Sequence, residues 1–297
     1  MICRAFTPAT RRAGLGLALL VCATPSQAQP ERVVSIGGHV TEIVYALGAQ
    51  QQLVGADSSS LYPPEARALP QVGYMRQIAV EGVISLAPDL IIASPDIGPP
   101  AAVEKLERLG IPMVRTRPAN SIDSAAERIR EVGRALDRSE KAEQLARAVS
   151  EKARAESERL NGLPGPRPRV ALFLGHNGRS PMGSGSGTSG DAMIRLAGGD
   201  NALSGMQGFK TVPAEALIQA APDVIVFTVE SVAAAGSPQA LLKRLPGIEH
   251  TPAGREGRVV VMDLLELFSF GPRLPDSIAK LGDGLRAPRL PQADGGS

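Results

Sequence analysis

Residues 79–94 read AVEGVISLAPDLIIAS and residues 213–228 read PAEALIQAAPDVIVFT, so the chain carries one phrase twice, 134 residues apart. In each copy a glutamate (Glu81, Glu215) opens a short apolar stretch with helical spacing. A Pro-Asp pair follows seven residues later (Pro88-Asp89, Pro222-Asp223), and then a run of aliphatic residues suited to a buried strand. Helix, turn and apolar strand make an α/β unit, and its recurrence predicts two similar lobes. Two lobes leave a cleft between them, and small ligands favour such clefts.

A chain of 297 residues is long enough for two ordinary cores. Trp is absent and aromatic residues make up only 3%, so the cores are expected to be aliphatic, as in an α/β fold rather than an all-β sandwich. The formal charge of +2 and the lack of any Lys/Arg cluster argue against a nucleic-acid partner.

The first 28 residues read as a cleavable export signal: Arg4, Arg11 and Arg12 ahead of an apolar run from Ala13 to Ala23, then Ser26-Gln27-Ala28 as a small-x-small cleavage site. That run is too short to span a bilayer. Losing its three arginines takes the charge from +2 to −1. Both cysteines, Cys3 and Cys22, fall in this leader. Val21 stands before Cys22 where a lipid-attachment site needs a small residue, so an exported, soluble periplasmic product without disulfides is expected.

Along the mature chain, strand and helix patterns alternate with short loops, as in a parallel sheet. Strands are expected at 32–36, 53–56 and 111–115, with helices at 41–47 and 101–109. Two amphipathic helices follow, at 121–136 and about 139–160, the second about 33 Å long. NGLPGPRP (161–168) ends it. Beyond lie a strand at 170–174, a Gly/Ser loop at 183–190, a helix at 191–196, a strand at 258–263 and a helix at 275–285. The expected organisation is a leader over 1–28, an N-terminal lobe over 31–137, an interlobe helix over 138–162 and a C-terminal lobe over 168–290. Each lobe is expected to be a Rossmann-like parallel sheet.

Several enzyme signatures are absent: no Gly-rich phosphate loop with its lysine, no GxSxG elbow, no HExxH. The Gly/Ser strap before Thr188 and Ser189 reads equally well as a helix cap or as a cradle for an anionic group. His250 reads as a surface residue. His39 follows the first strand, at the edge where open α/β sheets bind ligands, and reads there as a cleft residue, a helix-start residue or a solvated one. His176 holds the matching edge of the second lobe. Tyr62 and Tyr74 fall in loops of the first lobe. Arg76, two residues from Tyr74, favours phenolate, a hard oxygen donor suited to ferric iron and a known axial ligand of haem.

The motifs VVSIGGHVTEIVYALGA, LPQVGYMRQIAVEGVISL, FLGHNG, SGTSGDAMIRLAGGDNA, TPAGREGRVVVMD and FGPR occur in order across residues 32–285. In them the chain resembles the periplasmic haem-binding proteins of ATP-driven importers, within the class that also binds vitamin B12 and ferric siderophores. The resemblance implies that Tyr74 is an axial haem ligand, that His176 is a second ligand from the other lobe, and that Arg76 hydrogen-bonds the phenolate. It implies that Glu81 and Glu215 dock on arginines of a permease dimer, one per lobe, although helix N-terminal charge complementarity also accounts for them. His39 departs from the family pattern, which usually has a carboxylate or small polar residue there. Tyr62 is an alternative ligand, and Thr188, Ser189 and Lys210 are candidates for propionate contacts. The expected function is capture of one haem, as transported cargo, and delivery to the permease. The alternatives are a siderophore or cobalamin carrier, and a secreted enzyme using His176 with Asp191 or a nearby serine.

Overall fold

The two copies of the repeated phrase fold into the same joint. The computed structural model describes residues 29–176 and 179–287, without the side chains of 176 and 179–181; the expected export leader lies outside the described residues. In the first copy, Asp89 accepts hydrogen bonds from the backbone N–H of Glu31 (2.8 Å) and Arg32 (3.1 Å), while Arg32 donates to the carbonyls of Ala87 (3.0 Å) and Leu86 (2.6 Å). In the second, Asp223 accepts from the N–H of Arg169 (2.8 Å), and Arg169 donates twice to the carbonyl of Ala220. The arginine thus satisfies carbonyls left open at a helix end and offers its charge to the negative pole of the dipole. The alanine ahead of each Pro-Asp pair, Ala87 and Ala221, sits in the left-handed region at φ 42° and 40°.

The N-terminal half runs β1 (Val33–Ile36), α1 (Gly38–Ala46), β2 (Leu53–Ala56), β3 (Gly73–Tyr74), β4 (Gln77–Ile78), α2 (Val80–Ser85), β5 (Leu90–Ala93), α3 (Pro100–Arg108), β6 (Met113–Arg115), α4 (Ile122–Ala135) and α5 (Ser139–Asn161). Its main sheet has the order β2-β1-β5-β6, and all three pairings are parallel. The C-terminal half runs β7 (Arg169–His176), β8 (Arg179–Ser184), α6 (Ser189–Leu196), β9 (Asp200–Asn201), β10 (Phe209–Thr211), α7 (Ala214–Ala220), β11 (Val224–Thr228), α8 (Val229–Ala235), α9 (Pro238–Leu242), α10 (Pro252–Glu256), β12 (Val259–Met262), α11 (Leu264–Phe268) and α12 (Leu274–Arg286). Its sheet has the order β10-β8-β7-β11-β12, with β9 on β7.

Two α/β lobes with a long helix between their sheets in sequence are therefore present, as expected. The second sheet differs in being mixed. β7, β11 and β12 are parallel, but on the other side of β7 the strand β8 runs antiparallel to it, and β10 pairs antiparallel with β8. Part of the expected Gly/Ser loop is this strand β8. Gly183 belongs to it because a Cβ there would lie 2.5 Å from Leu203 and Val212.

Helix α4 opens on a reciprocal Ser121–Ser124 capping box, and it packs on α5 through small residues. A Cβ on Gly133 would lie only 2.1 Å from that of Ala142, so the two helices approach closely at that point. The buried stripe of α5 reads Ala142, Ala146, Val149, Ala153 and Leu160. Behind the sheets, one continuous aliphatic core joins α1, α4, α5, α6 and α12. The lobes also meet through an ion pair: Arg273, just ahead of α12, donates to both oxygens of buried Glu42 on α1 (3.1 and 3.0 Å). Burial pushes the Glu42 carboxyl above its usual range, and the Arg273 hydrogen bonds counter this effect.

Candidate functional site

Strand β1 ends at Ile36 and turns through Gly37 at φ 107°, which delivers the start of α1 to the carboxyl edge of the sheet. At that edge a buried carboxylate, Asp57, organises the neighbouring loops. Its Oδ1 accepts from the N–H of Gly37 (2.7 Å) and the hydroxyl of Ser60 (3.0 Å). Its Oδ2 accepts from the N–H and hydroxyl of Ser59 (3.0 and 2.6 Å) and from the N–H of Met75 (3.1 Å). This one side chain therefore ties the end of β1 to the ribbon that carries Tyr74. Gly73 is required there: its φ is 95°, and a Cβ would meet the carbonyl of Gln77 at 2.6 Å.

Between the lobes lies a cavity of about 600 Å³. The first lobe contributes Tyr74, Met75 and Arg76, the turn 94–96, the loop 118–120, His39 and Arg128. The second contributes the end of β7 at Leu174 and Gly175, the strap 187–189, Phe209, the start of α8 and helix α11 with its flanks. Its apolar wall includes Phe209 and Phe268, whose rings meet edge to face at 5.9 Å.

The sequence candidates divide around this cavity. Tyr74 is on the wall and 41% exposed. Arg76 is on the wall too, with its guanidinium ion-paired to Asp96 at 3.3 Å. Thr188 and Ser189 line the opposite side, but the Thr188 hydroxyl is already used. It caps α6 by accepting from the Asp191 N–H, donates to the Gly185 carbonyl and accepts from the Ser184 hydroxyl. Lys210 lies on exposed β10, off the wall, although its neighbour Phe209 is on it. Tyr62 is also off the wall, its ring 3.7 Å beneath the Arg273 guanidinium in a cation–π contact. The backbone of β7 reaches His176, which pairs with Arg179, and the His176 side chain lies outside the described residues.

Glu81 and Glu215 occupy the first turns of α2 and α7. Glu81 is solvent-exposed, and its hydrogen bond from Lys105 (2.7 Å) holds its carboxyl below the usual range. His250, also exposed, sits beside Glu249.

Sequence reasoning missed two residues of the site and one correspondence within the repeat. Asp57 read as part of a polar loop. Arg128 lies in the buried stripe of α4 alongside Ala125, Ile129 and Val132, and a charge on an apolar face was the signal available. The correspondence concerns His39, which the sequence places at the cleft edge. Arg32 precedes it by seven residues, as Arg169 precedes His176, and the registers Val33↔Leu90 and Val170↔Val224 put the two strands in equivalent places. The two histidines are thus counterparts in the repeat. His39 lines the cavity, and its Nε2 is shut off from solvent with no hydrogen-bond partner. Burial, with the nearby Arg128 charge adding to it, drives its pKa well below the ordinary value of 6.5, so the imidazole is neutral.

Among the described residues no three His, Cys, Asp or Glu side chains gather as a metal cage. An iron already held in a macrocycle needs only an axial donor or two, and this wall offers Tyr74.

Two α/β lobes that share a core and enclose a cleft define a binding protein. The chain belongs to the periplasmic binding protein family, whose model matches residues 33–264, and it is accordingly a binding protein and not an enzyme. Among solved structures it is similar to the periplasmic heme-binding protein RhuT from Roseiflexus sp. RS-1 in apo form, at a TM-score of 0.82 and 35% identity over 86% of this chain and 97% of that one. It is similar to the periplasmic heme-binding protein BhuT in complex with two hemes, at a TM-score of 0.79 and 38% identity over 86% of this chain and 97% of that one. Among sequence relatives, a cobalamin-binding protein of Halobacterium salinarum is 26% identical over 260 residues, 86% of this chain and 69% of its own length.

Proposed function

We propose that this protein captures haem in the interlobe cleft and delivers it to the permease of an ABC importer. The observation that carries the reading is Tyr74 on the wall of an apolar, aromatic-edged cavity that has no bare-metal cage among the described residues. A phenolate from one lobe supplies the axial oxygen that ferric haem accepts, and the flat faces of the porphyrin suit Met75, Leu265, Phe209 and Phe268. His176 is the candidate second ligand from the other lobe. Ser189 remains a candidate contact for a propionate, whereas Thr188, with its hydroxyl committed, offers less. Similarity to heme-binding proteins at 35% and 38% identity supports the same ligand class.

The two lobes act as the jaws and α5 as the stiff connection between them. Glu81 and Glu215, one per lobe at matching places in the repeat, are the proposed contacts with a two-fold permease. Similarity to a cobalamin-binding protein favours a second reading, in which the cleft takes a corrinoid. A corrinoid brings its own lower ligand and needs no phenolate. Parallel titrations with haemin and cyanocobalamin, followed by absorbance and by equilibrium dialysis, separate the two. Saturable haemin binding with no cobalamin retention is the expected result. Cobalamin retention without haemin binding overturns the reading.

A further inference from the structure

Arg128 is a buried cation that bonds to no carboxylate among the described residues. Its side chain is only 4% exposed, and it reaches the cavity wall from α4. Its Nε and one terminal nitrogen donate to the carbonyl of Arg117 (3.1 and 3.0 Å), and the other terminal nitrogen donates across the lobes to the carbonyl of Ser269 (2.6 Å). Carbonyl dipoles orient a guanidinium but do not neutralise it. Burial lowers the Arg128 pKa to about 10, which leaves it charged at neutral pH.

Buried charges are ordinarily paired because desolvating them is costly. The nearby carboxylates act on it only from a distance and are paired elsewhere: Glu131 is bound to Arg117 and Asp96 to Arg76, while Glu230 stands exposed at the start of α8. A guanidinium has five N–H donors, and the bonds to Arg117 and Ser269 occupy three of them. Beside it is His39, neutral, with a buried ring nitrogen that lacks a partner. A cation with spare donors and an unpaired imidazole, both on one cavity wall, are what an incoming anion satisfies.

We propose that the floor of the cleft is a carboxylate subsite, in which Arg128 supplies the charge and His39 a hydrogen bond, so that the ligand enters acid edge first. The inference rests on the haem reading, and the acid edge is then the pair of porphyrin propionates. It also assigns Arg128 a second part, since the ligand carboxylate completes a cluster that already bridges Arg117 of one lobe and Ser269 of the other.

The test compares haemin with its dimethyl ester, which keeps the iron and the ring but removes both negative charges. Each is titrated spectroscopically into the full protein, into Arg128→Met and Arg128→Lys, and into His39→Phe. The wild type is expected to favour haemin by about ten- to a hundredfold, as for hydrogen bonds to a charged group. Arg128→Met and His39→Phe should narrow that gap, and Arg128→Lys should restore much of it. If Arg128→Met does not fold, the lysine and phenylalanine variants decide the matter. Equal affinity for acid and ester in the wild type overturns the subsite while leaving the haem reading intact, as does a preference that none of the variants changes. Binding of neither porphyrin overturns both.

Discussion

Asp57 carries more of the site than its place in a serine-rich loop suggests. Its two oxygens hold three backbone N–H groups and two hydroxyls, and each buried donor left without a partner costs about 1–3 kcal/mol. Asp57→Ala should therefore cost about 3 kcal/mol or more in urea unfolding, and it should weaken ligand binding by loosening the Tyr74 ribbon. His39 provides a pH signature. The unfolded chain binds a proton at this residue near pH 6.5, whereas the folded chain resists it. Its contribution to stability is thus full above that pH and falls as the pH drops below it, by at most about 1.4 kcal/mol per pH unit. His39→Gln should flatten the stability profile between about pH 7 and about pH 5; a profile identical to wild type would contradict the burial argument. The sequence singled out Tyr74 through the arginine two residues away; the structure puts Tyr74 on the cavity wall but pairs the Arg76 guanidinium with Asp96. Asp57 and Arg128 were not legible in the sequence, because their importance lies in contacts across 18 and 141 residues of chain.

At the scale of elements, the repeat was legible because its residues act locally. Glu, Pro and Asp in fixed spacing specify helix, turn and strand, and the same Arg–Asp joint closes both copies. Asp89→Ala and Asp223→Ala should lower stability by similar amounts, about 1–2 kcal/mol each; a large effect in one copy alone would show that the joints are not equivalent. The antiparallel ribbon of β8 and β10 escaped the sequence reading. The segment RSPMGS has neither alternation nor a continuous apolar run, and its place is set by packing of Gly183 against Leu203 and Val212. The contact between α4 and α5 depends on a missing side chain. Gly133→Val should cost roughly 1–3 kcal/mol through overpacking, read as a fall in the urea midpoint without a change in slope.

The two sheets share one core across α4, α5 and α12, and the Glu42–Arg273 pair fastens one lobe to the other. Lobes joined this way should melt together, so calorimetry is expected to give a single transition rather than two. Glu42→Ala leaves the Arg273 guanidinium with Glu266 at 3.8 Å and the Tyr62 ring, and should cost about 1–3 kcal/mol. The architecture also bears on transport. A cleft framed by a continuous core is expected to be largely formed before the ligand arrives. The most direct measurement of the central claim is the absorption spectrum of the protein saturated with haemin, taken for the wild type and for Tyr74→Phe. A ferric phenolate-ligated spectrum that the phenylalanine variant loses is the result expected. The same spectrum in both proteins would remove Tyr74 from the iron and contradict the account.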